Sequence, residues 1–244
     1  MTDRIFAAAR AGFDAVECHF PYDTPASEVR AALDRTKLPM LSLNTRLGVN
    51  GQQDFGVAAR PDRVEEARQA IDEAIAYAAS VGCLNINVVP GKTAGVLGAE
   101  LCFRENLAYA CERAAASDIS VLIEPISQHA APNFHCSSVE DALLTINAVG
   151  AENLKLMLDC FHTQLMQGNL EQRLRDSLPH LGHIQISAVH DRGEPDTGEI
   201  DYGYLLAAVD AMGWSGYIGA EYKPRSDTDA GLQWLETIHN HRRT

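Results

Sequence analysis

The chain has 244 residues, a formal net charge of −13 and a sequence pI of about 5.0. This negative charge would repel a phosphate backbone or an anionic lipid surface, which disfavours nucleic acid and membranes as partners. No apolar run approaches the roughly 20 residues of a membrane helix, and the first residues lack the apolar core of a signal peptide, so a cytoplasmic protein is expected. The six cysteines form no C-x-x-C pair, which disfavours a disulfide framework or a zinc site.

Apolar runs with strand character alternate with stretches of helical periodicity along the whole chain. The predicted strands are residues 15–20, 39–44, 84–91, 120–125, 154–159, 183–187 and 216–222. The predicted helices are residues 2–10, 25–36, 61–81, 100–116, 137–149, the helical segments after Asp159, 202–212 and 229–239. Gly12 and Gly82 are the expected stop signals of the first and third helices, and Pro61 is expected to open the third.

Two loops between these elements are distinctive. Residues 45–60 contain three glycines and no clear period. A loop of this length in a compact domain is usually functional or mobile, so it is interpreted as a candidate lid. Gly91 to Thr93 is interpreted as a strand-end turn, because the G-x-x-x-x-G-K pattern of a phosphate loop is absent.

The alternation of apolar strands with helices predicts a parallel sheet with helices outside it, in a single domain spanning residues 1–244. A doubly wound sheet would alternate in the same way. Such a sheet usually carries a glycine-rich first turn for phosphate, and no G-x-G-x-x-G follows any predicted strand. The pattern therefore favours an α/β fold of the TIM (β/α)8 barrel type.

The chain begins on a helix, whereas the later predicted helices follow apolar strands, so the barrel is expected to lack its first strand. An unclosed barrel would leave the edges of AVECHF and GYIGAEY unpaired, which closed barrels avoid. One strand and its turn, roughly 10 to 15 residues at about 3.3 Å per residue, would close the ring, so residues upstream are expected. Direct backbone hydrogen bonds between the two runs would contradict this expectation.

Four predicted strands end at or near a polar side chain, namely Glu124, Asp159, Gln185 and Glu221. In parallel α/β folds this end of each strand faces the ligand. Three carboxylates and one carboxamide there would converge on one divalent cation, because hard cations prefer oxygen ligands and carboxylates balance their charge. A single Asp or Glu is more often a helix cap or a surface charge, and Asp159 is also placed to cap the helix after it.

Further polar residues lie near these strand ends, and the sequence leaves their roles open between support of the site and simple solvation. They are Glu17, His19, His190, Asp191, Glu194 and Glu199. For Glu199, a place at a helix N-terminus is favoured.

Six different short motifs lie along the chain at these strand ends and loops. They are ECHFPYD at 17–23, GKT at 91–93, IEP at 123–125, LDCFH at 158–162, RGEPDTGEIDY at 192–202 and EYKP at 221–224. As a set they resemble the hydroxypyruvate isomerases, within the larger group of xylose isomerase-like sugar isomerases and epimerases, nearly end to end. The resemblance implies an eight-stranded barrel, a divalent metal ion, Mg²⁺ or Mn²⁺, and interconversion of hydroxypyruvate with tartronate semialdehyde through an enediolate.

The resemblance also implies a role for each site residue. The implied metal ligands are Glu124, Asp159, Gln185 and Glu221. Two of these, Glu124 and Glu221, would exchange the substrate proton, since moving a proton between neighbouring carbons needs two positioned bases. His162 and Arg192 would bind the substrate, the arginine by meeting its carboxylate.

Two other enzymes of the same fold remain open, a 2-oxo-tetronate isomerase and a ketose 3-epimerase. Gln185 and Arg192 favour an isomerase of acids, because epimerases of this fold typically carry His in the metal shell and need no carboxylate-binding arginine. A DNA-repair endonuclease would need a histidine-rich multi-zinc site and a basic face, which the net charge of −13 opposes. The alternative that is not an enzyme is a barrel that binds sugar acids without catalysing a reaction. A small hydroxy-oxo acid is thus the expected ligand, and homo-oligomerisation is left open.

Overall fold

The computed structural model of the protein describes residues 1–236. Its α-helices are α1 (Thr2–Ala11), α2 (Ala26–Thr36), α3 (Val64–Val81), α4 (Ala99–Ala115), α5 (Val139–Val149), α6 (Cys160–Met166), α7 (Leu170–Ser177) and α8 (Tyr202–Ala211). Its strands are β1 (Ser42–Asn44), β2 (Asn85–Asn87), β3 (Ser120–Ile123), β4 (Leu154–Asp159), β5 (Leu181–Ile186) and β6 (Ile218–Ala220). No helix among these residues is long and apolar enough to cross a membrane.

The six strands form one parallel sheet whose order follows the chain, from β1 to β6. Every crossover between neighbouring strands contains at least one helix. Leu43, Ile86, Val121 and Leu156, on successive strands, have no exposed surface, as expected for a sheet covered by helices. The prediction of a barrel-type fold is confirmed, because a doubly wound sheet would reverse its strand order part-way along.

Helix boundaries follow local sequence signals in most cases. Gly12 and Gly82 end α1 and α3 in the left-handed conformation, as predicted. Pro61 instead opens a short 3₁₀ turn, and α3 begins three residues later. In the predicted helix 229–239, Ala230–Leu232 form a 3₁₀ turn, and the part beyond residue 236 lies outside the described residues.

The run AVECHF is extended, but its prediction as a regular strand is wrong. Val16 forms an isolated parallel bridge with Met40. Two further backbone bonds join the run to β1, from Cys18 N to Ser42 O at 3.0 Å and from Asn44 N to His19 O at 2.8 Å. The register of the bonds changes by one residue between Val16 and Cys18, which interrupts the ladder.

The sheet is open between this extended run and β6. Within residues 1–236, no backbone hydrogen bond joins residues 15–20 to residues 217–222. A cleft of about 1050 Å³ lies between them, and its lining includes Val16, Tyr217 and Trp234. The separation that the sequence predicts between these two runs is thus present.

The long loop at 45–60 is packed against the barrel. Residues 57–59 are buried, and Asp54 is only 7% exposed. The Oδ1 atom of Asp54 lies 2.8 Å from Nη1 of Arg63, which stands just before α3. This ion pair and the buried run after it hold the loop in place, so it does not have the character of a free lid.

Two glycines let the same loop approach the turn after β2. Gly56 and Gly91 have φ of +110° and +95°, values that L side chains rarely adopt. A Cβ atom on Gly56 would lie 2.4 Å from Val89 O, and one on Gly91 would lie 2.1 Å from Gly56 O. The two backbones therefore touch, and the turn at 91–93 is a structural partner of the loop.

Candidate active site

The predicted site residues lie at the carboxyl end of the sheet. Glu124 directly follows β3, Asp159 is the last residue of β4, and Glu221 directly follows β6. Gln185 lies in β5, where its Cα atom pairs with that of Asp159. Parallel strands bring their carboxyl ends to one edge of a sheet, and ligands of such folds bind there.

An arginine joins two of these carboxylates. The Nη2 atom of Arg192 lies 2.6 Å from Asp159 Oδ2 and 2.9 Å from Glu221 Oε1. The Cζ atom of the same guanidinium lies 4.7 Å from the ring centroid of Phe161. The loop after β5 therefore folds back over the strand ends and carries Arg192 into the carboxylate cluster.

Asp159 divides its two oxygens between a helix and the site. Oδ1 accepts hydrogen bonds from the backbone N atoms of Phe161 and His162, at 2.7 and 3.4 Å, and so caps α6. Oδ2 accepts the hydrogen bond from Arg192. Asp159 is therefore a helix cap and a member of the polar cluster at the same time.

His162 completes the cluster on the side of β3. Its Nε2 atom lies 3.8 Å from Asp159 Oδ2 and 3.9 Å from Glu124 Oε1, and its Nδ1 atom lies 3.2 Å from Ser127 Oγ. Burial lowers the pKa of His162, so the imidazole is neutral near pH 7. Glu124, Asp159 and His162 offer ligand atoms within 4.8 Å of one another, so these three residues are able to hold a metal ion.

The two glutamates at the edges of the cluster have opposite pKa shifts. Burial raises the pKa of Glu124 well above its usual value, and the negative charges of Glu221 and Asp159 raise it further. Burial also raises the pKa of Glu221, but a hydrogen bond from His19 and the charge of Arg192 outweigh burial and lower it to about 2. Paired carboxylates with divergent pKa values are a common basis of acid and base roles.

The amide of Gln185 makes no hydrogen bond to the other predicted ligands within residues 1–236. Its Nε2 atom donates to Glu17 Oε1 at 3.1 Å. Its Oε1 atom is buried and has no hydrogen-bond partner in the part of the chain that the structure describes. A buried, unpaired amide oxygen beside carboxylates suits a hard cation, which accepts both kinds of oxygen. The oxygen donors of the four predicted ligands are thus of the type that a divalent ion prefers, and Glu124 and Asp159 are the two of them that lie together with His162.

Residues 5–238 match the family model described as xylose isomerase-like TIM barrel. The chain belongs to this family. The match spans nearly all of the sheet and the site, and it agrees with the resemblance seen in the sequence motifs.

Named members of the xylose isomerase-like family are similar to the chain over most of their length. The 2-oxo-tetronate isomerase of Cupriavidus necator is 40% identical over 237 residues, which cover 96% of this chain and 91% of that protein. The hydroxypyruvate isomerase of Escherichia coli is 38% identical over 236 residues, covering 96% and 92%. A crystal structure named AP endonuclease, family 2, from Brucella melitensis has a TM-score of 0.94 at 33% identity, covering 97% and 92%.

Several residues around the site of this xylose isomerase-like barrel were missed by sequence reasoning. Asn87 Nδ2 donates to Glu124 Oε2 at 3.2 Å, and His183 Nε2 lies 2.7 Å from Glu17 Oε2. The sequence does carry a signal for His183, because residues two apart in a strand share a face and Gln185 is a predicted ligand. Asn87 ends β2 just as Asp159 ends β4, which was a similar signal.

The charged loop after β5 is organised by Arg225. Its side chain lies 2.7 Å from Asp191 Oδ2 and 2.9 Å from Asp196 Oδ1. Its backbone N atom donates to Glu194 Oε1 at 3.1 Å, and Glu194 is buried. These three acidic residues therefore support the loop that carries Arg192.

Two further polar residues of the loop have other partners. His190 Nε2 lies 2.7 Å from Glu199 Oε1 on the surface. Glu199 does not cap the following helix, because Asp201 is the residue whose side chain accepts from Tyr204 N, at 3.0 Å. Glu199 lies two residues before this N-cap, near the N-terminus of α8.

Proposed function

We propose that this protein is a metal-dependent isomerase of small hydroxy-oxo acids. Its substrate is hydroxypyruvate, interconverted with tartronate semialdehyde, or the four-carbon analogue 2-oxo-tetronate. The observation that carries the proposal is the polar cluster at the strand ends, where Arg192 joins Asp159 to Glu221 and where Glu124, Asp159 and His162 offer ligand atoms close together. Relatives named for both substrates, at 38% and 40% identity, support it.

The reaction moves one proton between neighbouring carbons. The proton leaves the carbon that bears the hydroxyl group, and the resulting enediolate is protonated at the former carbonyl carbon. The hydroxyl proton passes to the former carbonyl oxygen, so that the old hydroxyl becomes the new carbonyl. Glu221 is able to accept a proton because its low pKa keeps it ionised. Glu124, whose raised pKa favours the protonated form, donates a proton to the former carbonyl carbon, and proton exchange with water then restores both glutamates. In the reverse direction the two residues exchange roles.

In this proposal the metal ion would be held by Glu124, Asp159, Gln185 and Glu221. The close grouping of Glu124, Asp159 and His162 supports it and makes His162 a further donor. A bound divalent ion supplies charge stabilisation to the oxygen atoms of the enediolate. Arg192 reduces the mutual repulsion of the carboxylates by pairing with Asp159 and Glu221.

Arg192 also suits the carboxylate of an acid substrate. Its Nη1 atom is buried and has no hydrogen-bond partner among residues 1–236. A guanidinium donor of this kind binds carboxylates strongly because both groups are charged. A free ketose carries no such group, so this arginine favours a hydroxy-oxo acid over a ketose.

The test is an assay of the protein with hydroxypyruvate, 2-oxo-tetronate and free ketoses, each with Mg²⁺, Mn²⁺ or a chelator. We expect isomerisation of one or both acids, dependent on the metal, and none of the ketoses. Turnover of ketoses alone would make the protein an epimerase. Stabilisation by the acids without turnover would make it a binding protein.

The endonuclease name of the similar crystal structure does not transfer to this chain. Phosphate backbones bind proteins through basic surfaces, and this chain carries a net charge of −13. The described cluster able to hold a metal contains one histidine and two carboxylates, unlike the histidine-rich multi-zinc site expected of such an enzyme.

A further inference from the structure

The side chain of Glu17 uses both carboxylate oxygens to reach β5. Oε1 accepts from Nε2 of Gln185, 168 residues further along the chain, at 3.1 Å. Oε2 lies 2.7 Å from Nε2 of His183. Gln185 and His183 are 3% and 2% exposed. One carboxylate therefore bridges the extended run at 15–20 and the buried face of β5.

We infer that Glu17 positions the amide of Gln185 for the metal ion, an inference that rests on the proposed function. An amide has a donor end and an acceptor end, whereas a carboxylate only accepts. The NH₂ group of Gln185 must face Glu17, because the reversed amide would set two acceptors against each other. Oε1 of Gln185 is thereby left buried and unpaired in the described chain, where it is available to a cation.

A glycine in β6 leaves the space that this bridge needs. The Cα atom of Gly219 pairs with that of Gln185 across the strands. A Cβ atom on Gly219 would lie 2.3 Å from Glu17 Oε1 and 2.9 Å from His183 Nε2. Glu17 could not move away from such a Cβ atom without losing its bonds to β5. The absence of a side chain at Gly219 is therefore needed for Glu17 to bridge to His183 and Gln185.

The test is the affinity for Mn²⁺ without substrate, measured by calorimetry or by electron paramagnetic resonance. In Glu17→Gln, the new amide is able to donate as well as accept, so Gln185 is free to turn. We expect Mn²⁺ to bind about 10- to 100-fold more weakly, the usual cost of losing a hydrogen-bond partner of a metal ligand. Glu17→Asp keeps the charge but shortens the side chain, and it should also bind more weakly. Affinity retained in Glu17→Asp and lost in Glu17→Gln would show that only charge matters, which overturns the inference.

Two more variants separate positioning from general damage. Gly219→Ala leaves Glu17 in the chain but crowds its carboxylate, so it should weaken Mn²⁺ binding as Glu17→Gln does. Glu199→Gln removes an exposed carboxylate of the charged loop and should leave Mn²⁺ affinity unchanged. Circular dichroism and thermal unfolding without metal identify any variant that fails to fold, and the conclusion then rests on the folded members of the set.

A double-variant cycle decides whether Glu17 acts through Gln185. In the Gln185→Ala background, Glu17→Gln should cause no further loss of Mn²⁺ affinity. A full additional loss would show that Glu17 acts by another route and would overturn the inference. Wild-type protein that fails to bind Mn²⁺ would contradict the proposed metal dependence itself. If the wild type binds Mn²⁺ and Glu17→Gln binds it equally tightly, the proposed metal dependence still holds. Only the role of Glu17 is then wrong.

Discussion

At the residue scale, the candidate site has three carboxylates, and two of them form ion pairs with one arginine. Arg192 pairs with Asp159 and Glu221, whereas Glu124 receives a hydrogen bond from the neutral amide of Asn87. A buried carboxylate without a cation of its own is costly to ionise. Burial and the neighbouring negative charges therefore raise the pKa of Glu124, whereas the hydrogen bond from His19 and the charge of Arg192 lower that of Glu221 to about 2.

We expect Glu124→Gln and Glu221→Gln each to lower kcat by about 10²- to 10⁴-fold, the usual contribution of a general base. The amide keeps an oxygen ligand and nearly the same shape, so Mn²⁺ and substrate should still bind. The measurement is kcat and KM with the preferred acid, alongside Mn²⁺ affinity. Near-normal turnover in either variant would assign the proton transfer to other residues.

We expect Arg192→Ala to raise KM for acid substrates more than it lowers kcat, because it removes the cation proposed to meet their carboxylate. Without substrate, Asp159 and Glu221 lose their guanidinium, so Mn²⁺ should bind roughly tenfold more tightly. Arg30→Ala, which removes an exposed arginine paired with Asp34, is the control. Unchanged Mn²⁺ affinity in Arg192→Ala would mean that the guanidinium and the ion do not compete.

At the element scale, the loops around the site are held by specific pairs rather than by regular structure. Arg225 gathers the acidic residues of the loop after β5, and Arg63 pairs with the buried Asp54 in the loop at 45–60. The pair of Asp54 with Arg63 is buried, and such a pair is destabilising to break because the remaining partner stays buried.

We expect Asp54→Asn to lower the free energy of unfolding by about 1–3 kcal/mol. Burial raises the pKa of Asp54, but bonds from Arg63 and Asn50 outweigh it and leave the pKa below its usual value. The stabilisation should therefore be complete above about pH 4, the ordinary aspartate pKa, and disappear as the pH falls through the lower folded-state pKa.

Urea unfolding of both proteins across this pH range measures the effect. Asp62→Asn is the matched control, because Asp62 also pairs with an arginine but its side chain is 61% exposed. An exposed pair contributes little, so this variant should change stability by less than about 1 kcal/mol. Equal effects of the two substitutions would show that burial of Asp54 is unimportant.

At the scale of the whole molecule, the sheet has two free edges facing one cleft. Among residues 1–236, β6 pairs only with β5, and the run at 15–20 pairs only on the side of β1. Free edges beside apolar side chains are templates for association with other chains. Tyr217, 43% exposed, lies on the lining of the cleft just before β6.

We expect this chain to self-associate as its concentration rises, and Tyr217→Lys to reduce the association, because a lysine beside an edge strand opposes pairing. Sedimentation velocity over a concentration series measures this. Leu97→Lys is the control, since Leu97 is 93% exposed but is not among the residues that line the cleft. A chain that stays monomeric throughout, or an equal effect of Leu97→Lys, would contradict the role of the open edges.

Much of the fold was predictable because its signals are local. Gly12 and Gly82 end helices through their own backbone freedom, and the apolar runs of β2 to β6 are each encoded in a few consecutive residues. The regular strand predicted at 15–20 failed for a different reason. The register of its bonds to the run at 39–44 changes by one residue between Val16 and Cys18. Register depends on how two distant segments meet, which no local pattern reports.

The sequence by itself determined the parallel barrel order and the places of Glu124, Asp159 and Glu221 at strand ends, because strand alternation and chain order are properties of short segments. Only the tertiary structure decided that Arg192 pairs with two of these carboxylates and that Glu17 meets Gln185. Arg192 and Asp159 are 33 positions apart in the sequence, and Glu17 and Gln185 are 168 positions apart. These contacts arise because the curved sheet brings strand ends together in space, which no periodicity along the chain records.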